Sequence, residues 1–191
     1  MKRILAACSF AALLVSSACA EGAFVGAEGG WFYKHGKFDG SNGENGFSDN
    51  ASSADLGLKV GYIITDDHRV YGAYHYDFGG KFNDGNGDIK GQFHKFLLGY
   101  DFTPQIYNEW RGVLGLYGGY TFAKFKPDGN DSVTFKKGFA YGAKVGALYE
   151  INANNEVEFG LKAEQLRYNK KENTKPTITD AGLYVGYAYK F

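Results

Sequence analysis

Apolar and polar residues alternate with a period of two along most of the chain. In the first such stretch, Val25, Ala27 and Trp31 occupy one set of alternate positions, and Glu28 and Phe32 occupy the other. Because successive side chains of a β-strand point to opposite faces, this period predicts strands rather than helices. Eight runs of this kind follow one another, at residues 23–33, 54–62, 70–78, 94–102, 110–122, 139–150, 157–164 and 181–191. Their length of about 9–13 residues is what a tilted strand needs to cross the apolar layer of a bilayer.

One face of each run is apolar, whereas the other carries glycine interspersed with charged residues. A soluble β-sandwich also alternates, but its polar face lies in water and rarely holds so much glycine, of which this chain has 28 residues. A narrow lumen needs small residues between charged ones, so the pattern favours a transmembrane barrel. Aromatic residues concentrate near the run ends, as in the girdles at the two lipid–water boundaries: Trp31, Tyr33, Tyr76, Phe78, Tyr100, Phe102, Tyr120, Phe122, Phe139 and Tyr141.

The connections between the runs alternate between long and short. They comprise residues 34–53, 65–69, 79–91, 103–109, 124–138, 151–156 and 169–177. A bulge or strand end is expected around Gln165–Tyr168, where the alternation loses its phase. Outer-membrane barrels have short periplasmic turns, longer extracellular loops and periplasmic termini. The sequence therefore predicts an all-β fold, an eight-stranded antiparallel up-and-down transmembrane β-barrel with the four longer connections outside.

The N-terminus has the three parts of a secretory signal peptide. Lys2 and Arg3 precede an apolar stretch over residues 4–15, and small residues lead to an A-x-A pattern that ends at Ala20. The apolar stretch is too short to span a bilayer as a helix. The predicted organisation is a cleavable signal peptide over residues 1–20, followed by the barrel over residues 21–191.

Both cysteines, Cys8 and Cys19, lie within this signal segment. A lipid anchor on one of them is an alternative, although neither has a complete lipobox around it. Cleavage after Ala20 leaves no cysteine for a disulfide, for thiol catalysis or for a zinc site. Without Lys2 and Arg3 the chain has 19 basic and 21 acidic residues, a net charge of about −2 that does not favour nucleic-acid binding.

The C-terminal run carries the closest likeness to a known family. Leu183, Val185, Tyr187 and Tyr189 alternate up to a terminal Phe191. In this the chain resembles the small outer-membrane barrels of the OmpA/OmpX/Opa type, and the resemblance covers the whole mature chain in pattern. It implies location in the bacterial outer membrane, contact with membrane lipid and lipopolysaccharide, and recognition of Phe191 by the barrel-assembly machinery. Because the chain stops at Phe191, the cell-wall-binding domain of full-length OmpA-type proteins is not expected.

The polar faces of the runs predict a charged lumen. Its expected members are Glu28, Asp55, Asp77, Asp101, Glu150, Glu158, Glu164, Lys59, Lys95, Arg111, Lys144 and Lys162. An eight-stranded barrel has just enough interior room for side chains, so an ion-pair network that fills the barrel is favoured over a narrow ion path.

No catalytic, cofactor or metal site is predicted. A hydrolase would need a histidine beside a serine and an acid, yet the serines of the mature chain lie in the predicted loops or at their edges. His75 and Asp77 share a lumen face without a serine and are interpreted as network members. The segment Asp84–Asp88 opens like a calcium loop, but Ile89 and Lys95 replace the required Gly and Glu.

The connections offer two further hypotheses. The sequence around Asn130 resembles an acidic bacterial glycosylation sequon. Exposed phenylalanines on polar loops could contact a host or surface ligand: Phe38, Phe47, Phe82, Phe125 and Phe135. The functional prediction is a non-enzymatic barrel with a structural and surface-exposed role; the alternatives are a small nonspecific pore and, less favoured, a lipid-modifying enzyme.

Overall fold

Ten β-strands make up the part of the chain that the structure describes. The structure is a computed structural model, and it describes residues 22–40, 47–79, 81–83, 88–127, 134–168 and 174–191. The strands are β1 (Ala23–Gly40), β2 (Phe47–Thr65), β3 (His68–Asp77), β4 (Lys81–Asn83), β5 (Asp88–Phe102), β6 (Gln105–Tyr107), β7 (Trp110–Pro127), β8 (Thr134–Asn152), β9 (Asn155–Tyr168) and β10 (Thr174–Lys190). Within these residues, no helix is long and apolar enough to cross a bilayer.

Eight long strands close into a barrel. Each of them pairs antiparallel with the next long strand along the chain, and β1 pairs with β10 to complete the circle. The short β4 pairs with β5 beyond Gly79, and the short β6 pairs with β7. Closure gives the backbone amides and carbonyls partners within the sheet, as a bilayer requires. The predicted eight-stranded antiparallel up-and-down barrel is confirmed.

The register of the pairs fixes the tilt of the strands. Starting at Ala27 on β1 and moving from each residue to its partner on the next strand, one circuit of the barrel returns to β1 at Lys37, ten residues further along. The intermediate partners are Leu58, Tyr74, Phe96, Tyr120, Phe139, Arg167 and Thr177. With a rise of about 3.3 Å per residue and a strand spacing of about 4.8 Å, this stagger corresponds to a tilt of about 40°. Eight strands at this tilt enclose a lumen that side chains can fill.

Side chains alternate between the lumen and the outer surface as the sequence predicts. Leu58 and Val145 face outward, with 66% and 51% of their surface exposed, whereas Lys59 is buried in the lumen. Inward glycines leave room for larger lumen side chains: a Cβ at Gly57 would lie 2.5 Å from the ring of His75. The predicted assignment of the two faces is therefore confirmed.

The strands extend further than the apolar alternation predicts. In the first hairpin, β1 and β2 remain paired as far as Phe38 and Phe47, although residues 34–53 are predicted as a connection. Outward apolar residues are needed only in lipid, whereas backbone pairing continues beyond it. Of the two alternatives predicted around Gln165–Tyr168, the strand end is confirmed and the bulge is wrong: β9 ends at Tyr168 and pairs with β8 without a shift up to that residue. In this segment the inward side chains, Leu166 and Tyr168, are apolar, and the outward ones, Gln165 and Arg167, are polar. The strand therefore stays in register although its apolar residues now lie on the inner face.

The two ends of the barrel differ in their connections. At the turn end, residues 66–67, 103–109 and 153–154 connect the long strands, and the amide of Phe191 donates a hydrogen bond of 2.9 Å to the carbonyl of Ala23. At the loop end, the connections pass through residues 41–46, 80, 84–87, 128–133 and 169–173, which lie outside the described residues. Asn130, most of the Asp84–Asp88 segment, the proposed signal peptide and the side chains of the loop phenylalanines also lie outside the description.

Outward aromatic side chains form two girdles. The loop-end girdle contains Trp31, Tyr33, Tyr76, Phe78, Tyr120, Phe122, Phe139 and Tyr141, and the turn-end girdle contains Tyr62, Tyr100, Phe102, Trp110, Tyr149, Tyr187 and Tyr189. On β8, Tyr141 and Tyr149 are eight residues apart. At a tilt of about 40° this separation spans about 20 Å along the barrel axis, close to the height of about 25 Å of the apolar band of such barrels.

Candidate functional site

Charged side chains that are almost fully excluded from solvent fill the middle of the lumen. They form two groups along the barrel axis. The lower ion cluster, nearer the turn end, contains Glu28, Lys59, Arg69, Asp101, Lys144, Glu156, Glu158 and Lys162. The upper ion cluster, nearer the loop end, contains Lys34, Asp55, His75, Asp77, Lys95, Glu164 and Asp180. Buried ions are costly unless they are paired, so the geometry of the pairs decides what the lumen does.

Glu158 is the centre of the lower ion cluster. Its carboxylate lies 2.7 Å from Nζ of Lys144 and 3.1 Å from Nζ of Lys59, and it accepts a hydrogen bond of 2.6 Å from the hydroxyl of Tyr184. Lys144 also lies 2.9 Å from Asp101. One carboxylate thus joins two cations that come from β2 and β8, on different sides of the lumen.

Arg69 and Lys162 complete this cluster. Arg69 donates from Nη1 to Glu156 at 2.5 Å, and its Nη2 lies 3.7 Å from Asp101. The ammonium of Lys162 donates to Oε1 of Glu28. With these pairs, each of the four carboxylates in the lower ion cluster faces at least one of its four cations.

Two lysines organise the upper ion cluster. Lys34 lies 2.6 Å from Asp77 and 2.8 Å from Asp180, and these three side chains are 0–1% exposed. Lys95 lies 2.7 Å from Glu164 and 3.7 Å from Asp77. Among the described residues, Lys34 is the only ion-pair partner of Asp180. The loss of this lysine would therefore leave a buried carboxylate without a direct ion pair among those residues.

His75 connects the two clusters. Its Nδ1 lies 2.7 Å from Oδ1 of Asp55, and its Nε2 lies 3.4 Å from Oε1 of Glu28. Its membership of the lumen network is confirmed, and its hydrogen bond goes to Asp55 rather than to Asp77, on its own strand.

The four histidines have hydrogen-bond partners other than serine within the described part of the chain. The pairs are His35 with Asn50, His68 with Tyr100, His75 with Asp55 and His94 with Tyr74. Ser53, predicted at a loop edge, instead lies within β2 and is buried. In the same residues, no group of three or more His, Cys, Asp or Glu side chains is arranged to hold a metal ion.

Aromatic rings lie against the buried ammonium groups. Nζ of Lys162 is 4.6 Å from the ring centroid of Tyr184, and Nζ of Lys144 is 5.1 Å from that of Tyr71. In the upper ion cluster, Nζ of Lys34 is 5.3 Å from the centroid of Phe93. These cation–π contacts stabilise charges that have left water, and the rings occupy the space between the ion pairs.

Apolar side chains cover the charged region on both sides. Phe93, Ala123, Ala140, Leu166, Tyr168 and Ile178 lie toward the loop end, and Phe24, Val113, Leu148 and Ala188 lie toward the turn end. The cavity between Phe32, Tyr71, His75 and Tyr117 has a volume of about 10 Å³. A cavity of that volume has room for about one water molecule. This packing opposes the passage of ions or solutes.

The sequence located most of this lumen and misplaced its two ends. Ten of the twelve predicted lumen residues are members of the clusters. The prediction that Arg111 and Glu150 belong to the clusters is wrong. Arg111 donates to Asp67 at 2.6 Å, and Glu150 pairs with Lys190 at 2.7 Å, both at the turn-end rim. The apolar alternation did not identify four lumen residues, because they lie just outside the ends of the runs: Lys34, Arg69, Glu156 and Asp180. Each of them keeps the inward parity of its strand, and this signal would have identified them.

Comparison with known proteins supports the same architecture. A family model described as "Outer membrane protein beta-barrel domain" matches residues 7–191. A search of curated proteins gave no significant match.

Solved structures of outer-membrane proteins have a similar fold. Neisserial surface protein A aligns with a TM-score of 0.65 and 19% identity over 90% of this chain and 98% of its own. The Escherichia coli outer membrane protease OmpT aligns with a TM-score of 0.51 and 10% identity, over 91% of this chain and 98% of its own. At these identities the likeness concerns the fold alone.

Proposed function

Because the chain belongs to the outer membrane protein β-barrel family, we propose that it serves as a non-catalytic structural barrel of the bacterial outer membrane, with a lumen closed to solutes. The observation that carries this proposal is the filled lumen. Ion pairs of 2.5–3.7 Å cross it in two clusters, and apolar layers cover both clusters. An open path would require several of these pairs to separate together, and each separation exposes buried charge.

A surface role of the loop end forms the second part of the proposal. Past the loop-end girdle, β1 continues from Tyr33 to Gly40, paired with β2 as far as Phe38 and with β10 as far as Gly40. Seven residues at a tilt of about 40° raise Gly40 about 18 Å above Tyr33 in the girdle. Such hairpins would hold the loops away from the membrane, where a host or surface ligand could reach them. A protease applied to whole cells should therefore cut the chain within residues 41–46, and both fragments should stay in the membrane as parts of the barrel.

The proposal also covers export, through the N-terminal signal peptide, and assembly, through the C-terminal strand. Residues 1–20 would be removed as a signal peptide, so that the N-terminal sequence of membrane-extracted protein begins at Glu21. The barrel-assembly machinery would recognise the terminal strand through Phe191. This residue closes the ladder through Ala23, and its ring packs on Tyr189 with centroids 5.0 Å apart.

Single-channel recording in planar bilayers tests the closed lumen. Folded wild-type monomer should conduct rarely or not at all. The double variant Lys59→Ala/Lys144→Ala should raise conductance, because it removes both lysine partners of Glu158 and opens space at the centre of the lumen. The matched control is Lys37→Ala/Lys137→Ala, which removes two outward lysines and should behave like the wild type. Steady, well-defined steps from the wild type that the lumen variant leaves unchanged would favour the small nonspecific pore instead.

A further inference from the structure

The outer surface of β8, β9 and β10 has a groove between bulky side chains. Ala143, Ala163 and Ala181 lie side by side on β8, β9 and β10, paired directly across the strands. Larger outward side chains flank this row on its turn-end side. The resulting groove has a volume of about 660 Å³, and its lower wall includes Leu114, Leu116, Val145 and Leu161. The groove continues down to Tyr100 and Phe102, so it runs obliquely through most of the apolar band.

A row of polar side chains lies directly above the alanines, toward the loop end. Tyr141, Gln165 and Thr179 are the next outward residues on the same three strands and are paired in register with one another. The hydroxyl of Tyr141 donates to Oε1 of Gln165, and Nε2 of Gln165 donates to Thr179 at 3.3 Å. Amide and hydroxyl groups at the edge of an apolar band are costly when they face only hydrocarbon. Their position favours a ligand that is polar at this height and apolar below it.

Positive charge adjoins this polar row. Nε of Arg167 donates to Oε1 of Gln165 at 2.9 Å, and its guanidinium lies 5.4 Å from the ring centroid of Tyr141. The two terminal nitrogens of Arg167 have no hydrogen-bond partner among the described residues, and Lys137 is exposed on the neighbouring β8. On β8, β9 and β10, no described acidic side chain faces outward beside these cations. A guanidinium fork with free donors matches phosphate oxygens.

We propose that this face binds one phosphorylated, acylated glycolipid of the lipid A type. A phosphate would bind to Arg167 and Lys137, and one acyl chain would lie in the alanine groove. A second copy of the chain fits less well, because a two-fold interface apposes the same patch of both subunits and would bring their cations together. The assignment rests on the proposed orientation, with the loop end at the cell surface, where this lipid forms the outer leaflet.

A second outer groove provides a matched control. It has a volume of about 760 Å³ and is lined by Ala27, Gly29, Leu56, Leu58, Val185 and Tyr187, among others. Above it, the next outward residues on β1 and β2 are Trp31 and Ala54, without a cation. This groove resembles the first in size and apolar lining but lacks the polar row.

Native mass spectrometry of the folded barrel in detergent, titrated with purified lipid A, tests the proposal. Wild type should bind one lipid A. Ala163→Phe, which fills the groove, and Arg167→Gln, which removes the phosphate donors, should each weaken binding about tenfold or more. Ala27→Phe in the control groove should bind like the wild type. Dephosphorylated lipid A and phosphatidylglycerol should bind more weakly, and inorganic phosphate should not compete.

Three outcomes would overturn the proposal. The first is equal binding of lipid A by wild type, Ala163→Phe and Arg167→Gln, all confirmed as folded by heat-modifiable migration. The second is equal affinity for phosphatidylglycerol, which would make the site a general lipid contact. The third is a change of oligomeric state in Ala163→Phe, which would assign the groove to a second copy. Conductance of the same samples reports the closed lumen separately, so failure of the lipid site is distinguishable from failure of the proposed function.

Discussion

Replacement of Lys34 by methionine tests how far buried ion pairs hold the upper lumen together. Lys34 lies 2.6 Å from Asp77 and 2.8 Å from Asp180, and all three side chains are 0–1% exposed. Methionine keeps most of the side-chain volume but removes the charge. Asp77 retains Lys95 at 3.7 Å, whereas Asp180 keeps no ion-pair partner among the described residues. Removal of one partner from a fully buried pair destabilises by about 3–5 kcal/mol, and we expect Lys34→Met to fall within this range.

The free energy of unfolding can be measured by urea titration in lipid vesicles. Trp31 and Trp110, one in each aromatic girdle, supply the fluorescence signal. Lys37→Met is the control, because Lys37 lies on the outer side of the same strand and is exposed; its effect should stay within about 0.5 kcal/mol. The double variant Lys34→Met/Asp180→Leu should be more stable than Lys34→Met alone, since it removes the orphaned carboxylate. A loss below about 1 kcal/mol for Lys34→Met, or no recovery in the double variant, would refute the reasoning.

Three further perturbations address the outer face, assembly and the lumen glycines. Leu58→Arg places charge at the middle of the lipid-facing surface and should destabilise by about 2–4 kcal/mol in lipid; unchanged stability in urea titration would invert the face assignment. Deletion of Phe191 should reduce membrane-integrated, heat-modifiable protein in cells, and undiminished insertion would contradict its role in assembly. Gly57→Ala should destabilise by about 1–3 kcal/mol, because the new Cβ would lie 2.5 Å from the ring of His75. The outward Gly72→Ala, whose nearest neighbour is 3.9 Å away, is the control, and equal losses at both glycines would argue against lumen crowding.

The fold could be predicted because the two faces of each strand meet different surroundings. On β2, Leu56 and Leu58 face lipid while Asp55 and Lys59 face the lumen, so the period of two is visible in the sequence itself. The ends of the strands could not be predicted in this way. Beyond the lipid boundary the outer face no longer has to be apolar, and the hairpins continue without a hydrophobic signal.

The partners within the lumen were even less accessible from sequence. Lys34 and Asp180 are 146 residues apart along the chain, yet they are direct neighbours because β1 pairs with β10. By contrast, Lys59 and Glu158 lie on strands that do not pair with each other, and they meet across the lumen at a height set by the ten-residue stagger. The alternation predicts which face of the sheet a residue lies on, but not its position along the barrel axis. For this reason the sequence predicted membership of the network without its pairs.

Water access to the lumen is the most direct test of the closed barrel. Ala73 faces the lumen beside Lys59 and Leu97, and the chain beyond the proposed signal peptide contains no cysteine. Folded Ala73→Cys in lipid vesicles can therefore be treated with a water-soluble, charged thiol reagent, with Asn154→Cys in an exposed turn as the reactive control. A closed lumen predicts that Ala73→Cys reacts at least about a hundredfold more slowly, because reaction requires a local opening that costs several kcal/mol. A rate within about tenfold of Asn154→Cys would show an open lumen and contradict the account.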